Sequence, residues 1–318
     1  MARAVHCVNP MRRFLIVCAV VMLGAPMVEA RDLSQVRSWT YWLSGPKPAL
    51  IAASGFDMAV VDHSRDGTGA GAFSPDEVRR MQTRPDGERR IVLSYMSIGE
   101  AEDYRGYWRP AWSRTPPAWL EAENPDWKGN FKVRFWDPDW QRVIFGTPNS
   151  YLDTILEQGF DGVYLDIVDA YWYFQEKGRK SAAAEMIRFV SAIAAYARAR
   201  RPGFLVVPQN AEDLLADAGY RDIIDAQAKE DLLFGLEGEN EANSADAVAW
   251  PLKHLKLARQ AGKPVFLVEY PSDRRLIETA YRRGRELDLV PYAAVRALDR
   301  MVVNRGFDPA TPDLLRRD

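Results

Sequence analysis

The sequence predicts an α/β protein, a single (β/α)8 (TIM) barrel with a long tryptophan-rich loop after its third strand. Apolar runs of strand length alternate with helical stretches along residues 31–318, and nearly continuous apolar runs are typical of parallel strands buried on both faces. Eight runs give about 36 residues for each strand–helix unit, the size typical of this barrel. An open doubly wound sheet is the alternative. It is less favoured because no Gly-x-Gly-x-x-Gly turn follows the first run.

The predicted strands follow one another without a linker or a shift in composition. In chain order they are Ser38–Leu43, Met58–Asp62, Ile91–Met96, Gly162–Asp166, Phe204–Pro208, Ile223–Gln227, Val265–Glu269 and Val290–Val295. Because nothing divides this series, residues 31–318 are predicted to form one domain.

Several of the intervening helices have clear start and stop signals. Ser74-Pro75-Asp76-Glu77 has the spacing of a capping box, with Ser at the N-cap, Pro at the first helical position and Glu at the third. Ala182–Arg200 is rich in Ala and ends before Pro202-Gly203, and Ser244–Ala261 ends at Gly262. These patterns predict three helices.

Residues 1–30 are predicted to be a signal peptide. Arg12 and Arg13 precede an apolar run, Phe14–Met22, and small residues stand at the two positions that determine cleavage, Val28 and Ala30. The run is too short to span a bilayer comfortably, although an uncleaved anchor is the alternative. Cleavage would leave a periplasmic or secreted protein with no stable membrane insertion.

Charge and cysteine content exclude several classes of function. The chain has 42 Lys and Arg against 44 Asp and Glu, a net charge of −2, and no long basic stripe. A nucleic-acid partner is therefore not expected. Both cysteines, Cys7 and Cys18, lie in the predicted signal. Residues 31–318 can therefore form no disulfide, thiolate zinc site or cysteine nucleophile.

Carboxylates and amides are concentrated where the predicted strands end, which is where a barrel of this kind places its active site. These residues are Asp62, Glu100, Asp166, Asp169, Gln209, Asn210, Glu230 and Glu269. Only His63 and His254 are available in residues 31–318, so a histidine-rich metal centre is hard to build. Chemistry by a pair of carboxyl groups remains, most commonly glycoside hydrolysis, with no metal or organic cofactor.

The carboxylates differ in how strongly the sequence supports them. Asp166 closes an apolar strand and should point into the barrel mouth, although an N-cap or a structural ion pair is the alternative. Asp169 is either the catalytic residue instead of Asp166 or a residue that orients Asp166. Glu230 lies in a charged run that also suits a solvated surface, and Glu269 is its rival. Arg296 could pair with one of these acids and hold it ionised.

Six of the ten tryptophans lie in the 42 residues from Gly99 to Trp140, namely Trp108, Trp112, Trp119, Trp127, Trp136 and Trp140. Tryptophan faces stack on sugar rings and attract cations. Most of these rings should hold the loop together, and one or two should contact a saccharide. The predicted substrate-binding residues are Asp62, Tyr95, Glu100, Trp136, Asp169, Asn210, Glu269 and Arg296.

Four segments resemble a family of bacterial and archaeal TIM-barrel proteins related to glycoside hydrolase family 114. They are Ile91–Arg105 (IVLSYMSIGEAEDYR), Glu123–Trp127 (ENPDW), Val133–Pro138 (VRFWDP) and Gly159–Asp166 (GFDGVYLD). The resemblance covers roughly residues 38–306. It implies endo-α-1,4-polygalactosaminidase-like activity on a polymer that contains α-1,4-linked galactosamine. It also implies a catalytic Asp after strand four, at Asp166, and a catalytic Glu after strand six, at Glu230.

Two alternatives to a hydrolase stay open at this point. One is a glycan-binding barrel of the cell envelope that has lost turnover, and the other is a structural envelope component. For a hydrolase with Asp166 as nucleophile and Glu230 as acid/base, the separation of the two carboxyl groups decides the stereochemistry. About 5–5.5 Å predicts retention and about 6.5–9.5 Å predicts inversion.

Overall fold

The computed structural model describes Met1, residues 32–309 and Thr311. The predicted signal, residues 1–30, lies outside the described residues apart from Met1. In chain order the strands are β1 (Trp39–Trp42), β2 (Met58–Val61), β3 (Ile91–Ser97), β4 (Glu100–Glu102), β5 (Leu120–Glu123), β6 (Asn130–Val133), β7 (Gly162–Asp166), β8 (Leu205–Pro208), β9 (Gln227–Glu230), β10 (Val265–Glu269) and β11 (Val290–Ala293).

Helices lie between most of the parallel strands. They are α1 (Pro48–Ala53), α2 (Pro75–Met81), α3 (Pro138–Ile144), α4 (Tyr151–Gln158), α5 (Tyr171–Glu176), α6 (Ala182–Arg200), α7 (Ala218–Ile223), α8 (Ala245–Gln260) and α9 (Arg274–Glu286). The predicted capping box is confirmed at α2, where Ser74 and Glu77 cap each other's backbone N–H groups. The predicted bounds of α6 are also confirmed. Among the described residues, no helix combines the length and the apolar character needed to cross a membrane.

The strands that carry the fold are all parallel to their neighbours. One sheet has the order β1-β2-β3-β7-β8, and a second has the order β11-β10-β9. A bridge between Gln209 and Ala228 links the two sheets at one junction. At the other junction, the Trp39 indole donates to the carbonyl of Val290 at 2.9 Å. Ladder hydrogen bonds that would close the ring are not seen in the part of the chain that the structure describes.

Side chains from both sheets meet in one buried aromatic cluster. The Trp39 ring centre lies 6.3 Å from that of Tyr164, 5.7 Å from Phe266 and 5.8 Å from Tyr292. All four residues are essentially inaccessible to solvent. Burial of each large aromatic side chain stabilises the fold by about 1.5–3 kcal/mol. The concave faces of the two sheets therefore share one interior, and the carboxyl ends of their strands open at the same end.

The prediction of the sixth strand is wrong. Ile223–Gln227 was expected to form it, but Ile223 ends α7 and the strand is β9, Gln227–Glu230. Successive residues of a strand face opposite sides, so Ala228 and Glu230 point the same way. Ala228 belongs to the aromatic interior. Glu230 consequently occupies the end of a strand rather than the loop after it.

The segment between β3 and β7 is not a structureless loop. It contains a small antiparallel sheet of order β4-β6-β5 and the helix α3. Four of its tryptophans pack edge to face or tilted in one chain of contacts, Trp108, Trp112, Trp119 and Trp140. These rings hold the segment together, and the Trp140 indole donates a hydrogen bond to the carbonyl of Ile98, the residue after β3.

Candidate active site

A pocket of about 410 Å³ opens at the carboxyl ends of the parallel strands. Asp166, the last residue of β7, and Glu230, the last residue of β9, both line it. The two acids come from different sheets, so the fold rather than local sequence brings them together. Side chains after β2, β3, β10 and β11 complete the wall.

The two carboxylates share one hydrogen-bond donor. Nε2 of Gln209 lies 2.9 Å from Oδ1 of Asp166 and 2.9 Å from Oε1 of Glu230. These two oxygens therefore lie within twice that distance of each other. The far oxygen of each acid accepts from a tyrosine, Oδ2 of Asp166 from Tyr95 at 2.8 Å and Oε2 of Glu230 from Tyr270 at 3.0 Å.

Each acid also has a donor of its own on its near oxygen. The backbone N–H of Ile167 donates to Oδ1 of Asp166 at 2.8 Å, and Nδ2 of Asn210 donates to Oε1 of Glu230 at 3.0 Å. Lys229 donates to the amide oxygen of Asn210 at 3.2 Å, which fixes the direction of that amide. Both carboxylates are thus held in place by converging donors.

Left-handed backbone follows β7, β8 and β9. Ile167 has φ 55°, Asn210 φ 56° and Asp231 φ 51°. This conformation is costly for ordinary residues and an outlier for a β-branched one such as Ile167, and such strain concentrates at functional sites. The turn at Ile167 also requires a glycine opposite it, because a Cβ on Gly99 would lie 2.1 Å from the Ile167 carbonyl oxygen.

Both acids of the pair are harder to ionise than ordinary carboxyl groups. Burial, followed by the neighbouring Glu230 carboxylate, raises the pKa of Asp166. Burial and the nearby Asp231 raise the pKa of Glu230. Since like charges this close oppose each other's ionisation, a proton is harder to remove from one acid while the other is charged. A carboxyl group that holds its proton to higher pH in this way suits general acid catalysis.

Buried ion pairs also line the pocket. Arg105 bonds to both Asp62 and Glu102, and all three side chains are almost fully buried. Glu100 accepts from Asn124 at 2.8 Å and from Lys132 at 3.3 Å. These carboxylates are therefore largely neutralised by their partners, and the wall is less negative than its composition suggests.

The aromatic contribution to the pocket comes from a different tryptophan than expected. Trp127, at the turn between β5 and β6, lines the pocket and is 59% exposed. Trp136, the predicted sugar contact, does not line it. Its ring packs 4.6 Å from that of Phe174, and the Arg179 guanidinium lies 3.7 Å from its ring centre. The assignment of Trp136 to the substrate is therefore corrected, because its face is already covered.

The prediction that Glu269 binds the substrate is also corrected. It is fully buried at the end of β10 and does not line the pocket. Its carboxylate accepts three backbone N–H groups, from Leu232 at 3.1 Å, Leu233 at 2.8 Å and Phe234 at 3.3 Å. Its contacts therefore hold the loop after β9 rather than a substrate. The neighbouring Tyr270, which the sequence analysis did not single out, is the residue that reaches the pocket.

Arg296 lines the pocket but pairs with an acid that was not predicted. Its two terminal nitrogens donate to Asp231 at 2.9 and 2.7 Å, and its guanidinium lies 4.4 Å from the Tyr270 ring centre. Asp169 and Asn210, both predicted to bind the substrate, do not line the pocket, and Asn210 donates to Glu230. Burial and the nearby Glu230 raise the pKa of Asp169 to about 6. Both residues can therefore act on Glu230 more directly than on a ligand.

We expect the free energy of unfolding to fall as the pH rises from about 6.5 to 8.5. Burial raises the pKa of Glu269 to about 8, and the pKa values of Asp166 and Glu230 are raised as well. The folded protein therefore keeps protons that the unfolded chain has released. Each such group lowers the free energy of unfolding by up to about 1.4 kcal/mol per pH unit while it is protonated in the folded state and ionised in the unfolded state, and the slope flattens above about pH 8.

His63 acts in the opposite direction, but in a lower range of pH. Burial lowers its pKa from 6.5 to about 4, so its effect on stability is complete once the pH exceeds the unfolded value. Urea unfolding at several pH values measures how steeply the free energy of unfolding falls with pH. This dependence should be weaker in Asp166→Asn. Constant stability of the wild type across this window would contradict the raised pKa values.

Among the described residues, no group of three or more His, Cys, Asp and Glu side chains is arranged to hold a metal ion.

Comparisons with known proteins place the fold and the family. A family model described as glycoside-hydrolase family GH114 matches residues 25–306. An uncharacterized protein of Deinococcus radiodurans is 39% identical over 284 residues, which are 88% of this chain and 87% of that protein.

Two solved structures resemble the chain in fold. The glycoside hydrolase domain of PelA from Pseudomonas aeruginosa matches with a TM-score of 0.66 at 20% identity, over 84% of this chain and 98% of that domain. Ega3 from Aspergillus fumigatus, solved in complex with galactosamine, matches with a TM-score of 0.61 at 19% identity. That match covers 84% of this chain and 95% of Ega3.

Proposed function

Since the chain belongs to glycoside-hydrolase family GH114, we propose that it is an exported glycoside hydrolase that cleaves an α-1,4-linked galactosamine-containing polysaccharide. Family membership supports hydrolysis of a glycosidic bond. We further propose the substrate, the roles of single residues, export of the protein and a fully closed eight-stranded ring.

The observation that carries the proposal is the bridged pair of acids in the pocket. Asp166 and Glu230 converge on Nε2 of Gln209 at 2.9 Å each, and the pKa of each acid is raised. Two neighbouring carboxyl groups that oppose each other's ionisation can supply a nucleophile and a general acid at the same pH. A protein that only bound glycans would not need this arrangement.

In the first step, an oxygen of Asp166 forms a bond to the anomeric carbon while the glycosidic C–O bond breaks. Glu230 gives its proton to the departing sugar oxygen. In the second step, Glu230 takes a proton from water as the water oxygen forms a bond to the anomeric carbon, and the bond from that carbon to Asp166 breaks, which regenerates the Asp166 carboxylate. The two near oxygens lie within twice 2.9 Å of each other, which is shorter than the about 6.5–9.5 Å of inverting pairs, so the retaining route is favoured.

Three features support a galactosamine polymer as the substrate. The family resemblance implies it, and Ega3, which shares the fold, was solved with galactosamine. Trp127 and Tyr104, both exposed at the pocket, offer faces for sugar rings and for a protonated amine.

The test is direct incubation of the purified protein with partly de-N-acetylated α-1,4-galactosamine oligomers and with a panel of other polysaccharides. Mass spectrometry should find shorter oligomers from galactosamine substrates, and NMR should find the α-anomer first. Products from another polysaccharide alone would overturn the substrate. Binding without products over long incubation would favour a glycan-binding protein instead.

Trp127→Ala should weaken substrate binding without impairing the chemical step. The indole lines the pocket far from both acids in sequence, and loss of one aromatic–sugar contact should raise KM roughly threefold to tenfold. Trp250→Ala is a matched control, because Trp250 is 45% exposed and does not line the pocket. Equal KM values for the two variants would remove Trp127 from the substrate site.

A further inference from the structure

One amide group contacts both acids of the pair. Among the described donors, the Ile167 N–H and the Tyr95 hydroxyl serve Asp166 alone. Asn210 and Tyr270 serve Glu230 alone. Nε2 of Gln209 reaches both carboxylates at equal distances. A primary amide has two N–H groups, so each acid receives one of them.

We propose that Gln209 is a positioning residue that stabilises negative charge on whichever of Asp166 and Glu230 carries it during the reaction. This inference rests on the proposed function. As Asp166 bonds to the sugar, its carboxylate becomes a neutral ester. As Glu230 gives up its proton, it becomes a carboxylate. One negative charge thus passes from the first acid to the second, and the second step returns it.

Because the Gln209 amide donates to both Asp166 and Glu230, it needs no rearrangement while the negative charge moves from one acid to the other. The hydrogen bond to Asp166 weakens as the bond to Glu230 strengthens, because hydrogen bonds to an ionised acceptor are about twice as strong as neutral ones. Fixed donors aimed at developing charge are among the largest contributions to catalysis. The shared amide can stabilise both transition states in this way.

The amide can act so only if its orientation is fixed. The hydroxyl of Tyr164, a fully buried residue of β7, donates to Oε1 of Gln209. The backbone N–H of Gln209 donates to the carbonyl of Leu165 at 2.8 Å. The oxygen end of the amide is therefore held towards Tyr164, and its nitrogen end faces the two acids. Tyr164 therefore orients the Gln209 amide so that Nε2 faces the two acids.

Two variants test the assignment. Gln209→Leu removes both N–H groups and should lower kcat on the order of 10²-fold to 10³-fold, as loss of one preorganised donor does elsewhere. Tyr164→Phe keeps the shape of the core and only releases the amide, so kcat should fall severalfold with KM unchanged. Tyr292→Phe is the matched control, since it also removes a buried hydroxyl beside Trp39 but lies outside the pocket.

A second readout separates positioning from mere structural support. Without the shared N–H groups the ionised acids are less stable, so the pH dependence of kcat/KM should shift to higher pH in Gln209→Leu and Tyr164→Phe but not in Tyr292→Phe. If the wild type is active and both site variants keep its kcat and pH profile, the role of Gln209 is overturned while the proposed function stands. Wild type that cleaves no glycan would overturn the proposed function and the assignment with it.

Discussion

Asp166→Asn is expected to abolish cleavage, lowering kcat on the order of 10⁴-fold or more, because an amide cannot supply the nucleophilic oxygen. The variant should fold normally. Asn keeps an oxygen to accept from Ile167 and Gln209, and its NH2 group can donate to the Tyr95 hydroxyl. Removing a buried carboxyl with a raised pKa should also increase the free energy of unfolding at pH 8.

Steady-state assays with galactosamine oligomers and urea unfolding at pH 8 measure the two effects. Asp308→Asn is a suitable control, since Asp308 is another carboxyl that bonds to a tyrosine, Tyr281, away from the pocket. Full activity in Asp166→Asn would reject its role. Loss of activity in Asp169→Asn instead would transfer the role to that neighbour.

Glu230→Gln is expected to lower kcat about 10²-fold to 10⁴-fold on natural oligomers, because the leaving sugar oxygen then departs without a proton. An aryl glycoside with an acidic leaving group needs no such proton, so formation of the intermediate from it should be far less affected. The wild-type rate should fall as the pH rises through the raised pKa of the pair. The variant should lose that descending limb.

A pH–rate profile on both substrates measures this difference. Glu269→Gln tests the rival acid, and it should keep cleavage while losing stability, since one of three backbone N–H groups would face an amide NH2 instead of an oxygen. If Glu269→Gln lost activity and Glu230→Gln kept it on natural oligomers, the acid/base role would belong to Glu269.

The sequence predicts well those strands whose side chains are apolar on both faces. Seven of the eight runs coincide with parallel strands of the described chain. The sixth was misplaced because β9 reads Gln227-Ala228-Lys229-Glu230, a polar sequence. Ala228 alone joins the apolar interior, whereas Gln227, Lys229 and Glu230 make side-chain hydrogen bonds. Ile223 and Ile224, which looked like a strand, lie at the end of α7. A search for apolar runs misses a strand of this kind.

The residues of the candidate site also differ in whether the sequence can predict them. A residue at the end of an apolar strand, such as Asp166, can be found from the chain alone. Which tryptophan faces the pocket cannot, because it depends on how the segment between β3 and β7 folds back on itself. The same holds for Arg296, whose partner Asp231 lies 65 residues away. Tyr270 follows Glu269 directly, and its aromatic ring at a strand end was the available signal.

The small antiparallel sheet β4-β6-β5 supplies one side of the pocket, whereas both acids stand on the parallel strands. Under the proposed function, part of the recognition surface and the two reacting acids would thus lie on separate pieces of the chain. Changes in the small sheet can reshape the fit to a particular glycan while the reacting groups stay where they are. Exchange of this piece between relatives would therefore be a practical route to new specificities on an unchanged catalytic base.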